Sequence, residues 1–77
     1  MEDIMKVIKI RLKQVLKERS MTQKQLEALS GVSQARISKL CRDDRQEINL
    51  LMLSKIAHAL HITDISELLY FSDEDSE

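Results

Sequence analysis

On either side of the chain's single glycine, apolar residues recur at helical spacing, and each run opens on a hydroxyl residue followed by glutamine. In the first run Leu26 and Leu29 fall on one face. In the second, Ile37, Leu40 and Cys41 stand at i, i+3 and i+4. Thr22 suits a helix N-cap, with Gln25 three residues on to complete a capping box, so a helix is predicted over residues 23–30. Gly31 then stands where a helix ends in a left-handed residue, a conformation costly for any side chain with a Cβ. Val32 is the apolar residue of the turn, and Ser33 can cap a second helix over residues 34–41.

The flanking pattern extends this reading. Residues 11–19 are predicted helical, with Leu12, Val15 and Leu16 inward. Just upstream the signal divides: Ile4, Val7 and Ile8 prolong the helical stripe, yet Ile8 to Leu12 alternates and is β-branched, as in a strand. Residues 5–10 stay open between the two, and a strand there would need a partner edge, expected from a second copy of the chain. The polar residues 42–47 read as a loop. Asn49 can cap a helix over residues 50–60 with Leu53, Ile56, Ala57 and Leu60 inward. Leu50, Leu51 and Met52 exceed one face, and some of them are expected to meet a partner or the first helix. A last helix is predicted at about residues 64–70, starting at Thr63 or Asp64 with Glu67 in a capping box. The expectation is an all-α, compact five-helix domain with a helix-turn-helix at about residues 22–41, and a short N-terminal strand as the open alternative.

Composition narrows the class. Seventy-seven residues at 43% apolar content make one modest core, burying about 60% of the unfolded chain's surface. No run approaches the roughly 18 apolar residues of a membrane span, and the N-terminus lacks the order of a signal peptide, so a cytoplasmic protein is expected. A single cysteine forms no internal disulfide, and Cys41 reads as a small reduced core residue. The net charge of −1 conceals sorting: residues 6–61 hold all twelve Lys and Arg against five acids, whereas residues 62–77 hold six acids and no base. A basic middle is what phosphate binding requires. The division expected is an N-terminal extension over residues 1–10, helical or strand and available for dimerisation, a helix-turn-helix domain over 11–71, and an acidic disordered tail over 72–77.

The candidate chemistry is recognition rather than catalysis. Gln34, Ala35, Ser38, Lys39 and Arg42 face outward from the second helix, and these are short or base-matching groups. There is no phosphate loop, no Ser/His/Asp set and no paired carboxylate in a plausible pocket, so no enzyme and no cofactor are expected. His58 and His61 are three apart on one helix end with no third ligand in sequence, which gives no metal site.

Thr22-Gln23, Leu26, Gly31-Val32-Ser33, Ile37-Ser38-Lys39-Leu40 and Leu53-x-x-Ile56-Ala57-x-Ala59-Leu60 together resemble the Cro/CI-type (Xre-like) helix-turn-helix of phage repressors and small bacterial regulators. The resemblance spans about residues 10–69, and the ending Ile65 to Tyr70 is similar to a subgroup of very short, single-domain members. It implies that the helix opened by Ser33 enters the major groove while the preceding helix crosses the backbone. Gln34 would then read adenine, Ala35 would meet a thymine methyl, and Ser38 and Lys39 would reach the next bases. Thr22 and Gln23 would lie at the start of the backbone-crossing helix, with Gln23 on phosphate, and Arg36, Arg42 and Arg45 would be phosphate partners. His61 stands where the family often has glycine.

Two departures bear on affinity. Glu27 replaces the small alanine usual where the two helices approach, so it is expected to escape to solvent or pair with Arg36 or Lys39. Ala28 beside it would suit a slightly rotated helix. Asp43, Asp44 and Glu47 occupy the following loop in place of the usual glycine and proline. The implied partner is double-stranded DNA, a palindromic operator bound by a homodimer, with no small-molecule ligand and no membrane. A regulator, expected to repress, stands first. A protein-binding accessory module of a mobile element, or an antitoxin-like component, stands second.

Overall fold

A computed structural model describes residues 5–42 and 47–73, and the ambiguous segment before the first helix is a strand, β1 (Lys6–Ile10). Its partner is not a second copy. The C-terminal strand β2 (Leu69–Asp73) of the same chain pairs with it antiparallel, in the register Lys6↔Asp73, Ile8↔Phe71 and Ile10↔Leu69. The β-branched and aromatic residues at these positions suit a pleated surface better than a helix. Ile10 is buried and Leu69 packs against the core, whereas Ile8 and Phe71 further out are 56% and 68% exposed. The Lys6 ammonium meets the Asp73 carboxylate at 2.5 Å where the two strands end.

Between the strands run α1 (Leu12–Glu18), α2 (Gln23–Ser30), α3 (Gln34–Arg42) and α4 (Leu50–Ala59), followed by one 3-10 turn, Ile65–Glu67. The expected all-α, five-helix arrangement is therefore corrected to four α-helices and a two-stranded sheet. The fifth helix is cut short by contacts with residues distant in sequence. Asp64 does cap, accepting from the Ser66 amide at 3.0 Å, but Glu67 turns to Arg19, 3.9 Å away, instead of closing a capping box. From Leu69 onward the chain gains a complementary strand edge, and the Arg11 amide donates to the Leu68 carbonyl at 2.8 Å, where β1 gives way to α1.

The core draws on β1, all four helices and the turns between them. Leu12, Val15 and Leu16 of α1, Leu26 of α2, Ile37 and Leu40 of α3, and Leu53 and Ile56 of α4 are buried with Ile10, Val32, Leu60, Ile62 and Leu68. One expected core residue is not there: Leu29 is 59% exposed. The inward stripe of α2 is Gln23, Leu26, Glu27 and Ser30, all buried or half-buried, and Leu29 lies beside it. Leu50 and Leu51 are also exposed, so neither packs on α1, while Met52 does reach the core.

Two helices end without glycine. After α1, the Ser20 amide bonds Lys17 and the Met21 amide bonds Leu16; after α4, His61 bonds His58 and Ile62 bonds Ala57. This pair of bonds is the Schellman closure, which places Ser20 (φ 53°) and His61 (φ 57°) in the left-handed region. The Arg19 guanidinium donates to the Leu60 carbonyl, tying the two closures together. Of the expected loop and tail, residues 43–46, with Asp43, Asp44 and Arg45 among them, and residues 74–77 lie outside the described residues, while Ser72 and Asp73 belong to β2. Among the described residues no helix is long and apolar enough to cross a membrane.

Candidate nucleic-acid interface

The candidate site is built from α2, its turn and α3, and each joint is held by a specific hydrogen bond. The Thr22 hydroxyl accepts from the Gln25 amide at 3.0 Å while the Gln25 side chain accepts from the Thr22 amide at 2.8 Å, a closed capping box. At the other end Gly31 (φ 77°) donates its amide to the Glu27 carbonyl at 2.9 Å. A Cβ on Gly31 would meet no heavy atom within 4 Å, so the requirement for glycine here is backbone conformation rather than space. Val32 is buried in the turn, and its amide donates to the Ser30 hydroxyl at 3.1 Å. The Ser33 hydroxyl then accepts from the Arg36 amide at 3.2 Å and starts α3.

Glu27 has a role that the sequence did not reveal. It neither escapes fully to solvent nor pairs with Arg36 or Lys39. Half-buried on α2, its carboxylate accepts the backbone amide of Gln34 at 3.1 Å, the first residue of α3. The amide would otherwise be one of the unsatisfied donors of a helix start, and the negative charge sits at the positive end of the α3 dipole. The anticipated burial cost is thus offset by a specific bond between the two helices of the motif. Ala28 is exposed, so α2 is not rotated to avoid the contact.

At 100° per residue, Ala35, Ser38, Lys39 and Arg42 share the side of α3 opposite Ile37 and Leu40, with Gln34 and Arg36 on its flanks. All are exposed except Ser38, which is half-buried. Among the described residues the side chains of Gln34, Arg36, Lys39 and Arg42 have no hydrogen-bond or ion-pair partner. Thr22 and Ser33 are exposed but have their hydroxyls committed to caps. Gln23 is half-buried at the start of α2, and Cys41 is half-buried in the last turn of α3. Burial pushes the Cys41 thiol above its ordinary value, while the nearby Lys13 charge and the Gln23 side chain act in the opposite direction.

A helix-turn-helix family model matches residues 12–68, from the first residue of α1 to the end of the 3-10 turn. The chain belongs to the Cro/CI-type helix-turn-helix family. Among solved structures, a Bacteroides fragilis protein provisionally described as DNA-binding is 31% identical to it. The two superpose with a TM-score of 0.70 over 83% of this chain and 100% of the other. No curated protein matches the chain. The family match stops short of both strands, so the sheet lies outside the matched region.

Proposed function

We propose that the protein is a sequence-specific, double-stranded DNA-binding transcriptional regulator that places α3 in the major groove and represses by occupying promoter sequence. The observation that carries this reading is the outward face of α3: a row of short and amide or cationic side chains, exposed and unpaired among the described residues, opening off a turn fixed by three caps. Gln34 is the principal base reader, with Ala35 on thymine methyl groups and Ser38 and Lys39 on the next base pairs. Gln23, Arg36, Arg42 and Arg45 hold phosphates, and Thr22 and Ser33 set the helix starts from which these groups reach out. Membership of the helix-turn-helix family and likeness to a protein described as DNA-binding support the same partner. A homodimer on a palindromic operator follows from the usual match between protein and operator two-fold symmetry, and the site of action is the cytoplasm.

The test is a mobility shift on the DNA upstream of the protein's own gene at low salt. A retarded band that disappears with Gln34→Ala plus Lys39→Ala is expected; no band for the wild type, or a band unaffected by the double substitution, overturns the reading. One observation favours a second reading as a protein-binding accessory module or antitoxin-like component. Ile8, Leu50, Leu51 and Phe71 are large apolar side chains more than half exposed. That reading predicts nucleic-acid binding without the steep salt dependence of phosphate contacts.

A further inference from the structure

A cleft of about 770 Å³ lies between the outer face of α1, the last turn of α3 and the sheet. Among the described residues Arg11, Lys13, Lys17 and Arg42 line it, with Glu18 as the one carboxylate. Glu18 accepts from Gln14 at 3.4 Å, and the Arg11 guanidinium stands 4.7 Å over the Tyr70 ring. Lys13, Lys17 and Arg42 have no ion-pair partner among the described residues. Lys13 and Lys17 are one turn apart on the same helix face, an arrangement of like charges that disfavours the free helix slightly and favours any anion placed between them. A concave wall carrying several cations of one sign focuses potential onto an anionic partner.

The position of the cleft selects among anions. Cys41, in the last turn of α3, lines it. Arg42 belongs both to the cleft and to the outward row of α3. The cleft is therefore continuous with the face that meets DNA in the proposed function, on which this step rests. We infer that it holds a further stretch of DNA sugar-phosphate backbone, with Lys13 and Lys17 each neutralising one phosphate beyond those reached from α2 and α3. These contacts add affinity equally on all sequences and carry no base information. Free phosphate or a nucleotide offers the same chemistry and is the alternative source.

The experiment is fluorescence anisotropy of the full chain with a labelled duplex of arbitrary sequence, titrated at a series of salt concentrations. Removing one phosphate-neutralising cation lowers the slope of log affinity against log salt by about 0.9, so Lys13→Gln plus Lys17→Gln is expected to lower it by about 1.8. Between 50 and 200 mM salt the wild type should then lose about twelvefold more affinity than the variant. Lys55→Gln, which removes a cation of α4 that lines no part of the cleft, should leave this non-specific slope unchanged, and circular dichroism melts should show all the variants folded. An unaltered slope for the double variant, with Lys39→Gln lowering it, overturns the inference and leaves the DNA reading standing. No salt-dependent binding by the wild type overturns both. Amide shifts at residues 13, 17 and 23 that saturate with inorganic phosphate but do not respond to duplex also overturn it, assigning the cleft to a free anion.

Discussion

Replacing Glu27 by the alanine usual in this family should destabilise this particular protein. The carboxylate makes one bond, to the Gln34 amide at 3.1 Å, and is half-buried. A hydrogen bond to a charged group contributes about 1.5–3 kcal/mol when well shielded. Partial exposure scales this toward the roughly 1 kcal/mol of a helix cap and its dipole contribution. Alanine's better helix propensity returns a few tenths of that, leaving a net loss of about 0.5–1 kcal/mol. For a domain of this size that is a fall in Tm of about 2–8 °C. Glu27→Gln keeps an acceptor and loses the charge, so it should fall about midway, and the gap between the two variants should narrow in high salt as the dipole contribution is screened. Calorimetric melts measure the stabilities, and hydrogen exchange at Gln34 locates the change, since that amide loses its only partner. If Glu27→Ala melts at or above the wild-type temperature and exchange at Gln34 is unaltered, the bond contributes nothing and Glu27 is a tolerated departure rather than a cap.

Other expectations rest on single observations. Ser20→Gly and His61→Gly should each raise stability by about 0.5–1 kcal/mol, because the left-handed conformation costs a side-chain-bearing residue about 1–2 kcal/mol and glycine's greater unfolded freedom cancels part of that; a lower Tm for both would refute the Schellman assignment. Gly31→Ala should cost about 1 kcal/mol through φ alone, with Gly31→Asn milder, since no atom crowds the new Cβ. Ile37→Ala, which empties a fully buried position, should cost about 2–5 kcal/mol and leave a poorly folded chain by circular dichroism. Asp64 is held below its ordinary value of 3.8 by the Ser66 hydroxyl and then the Ser66 amide. Its contribution is therefore present above that value and lost as pH falls through the lower folded one, so Asp64→Asn should slightly flatten the acid limb of a stability–pH curve.

Most of the helix-turn-helix was legible because its signals are local. The capping box of Thr22 and Gln25, the left-handed glycine and the Ser33 cap involve residues within three of one another, and α2 begins and ends at the predicted residues, 23 and 30. The outward row of α3 was equally readable, since it follows from the 100° step once Ile37 and Leu40 are inward. The sheet was not. Residues 5–10 carried both periodicities, and only the arrival of Leu69 to Asp73, some sixty residues later, decides between them. That pairing also removes the fifth helix, so a single non-local event accounts for both corrections to the fold.

Glu27 and the cleft show where the site itself escapes sequence reasoning. Spacing placed Glu27 close to α3 but gave no means of telling a buried penalty from a helix cap, because the difference is whether its carboxylate reaches the Gln34 amide. The same holds for Lys13 and Lys17, which spacing marks only as lying off the inward stripe of Leu12, Val15 and Leu16. Their significance depends on Cys41 and Arg42 from α3 closing the opposite wall. Both cases run through α3: Glu27 bonds its first amide, and its last turn supplies Cys41 and Arg42 to the cleft. The helix proposed to read DNA is thus held to α2 at its start by a polar bond as well as by the buried Leu26 and Ile37. A rigid reading helix preserves the difference between matched and mismatched bases, whereas one that can tilt relaxes it. The loss of the Glu27 bond should therefore show first as weakened discrimination between operator and arbitrary DNA, before any loss of non-specific affinity.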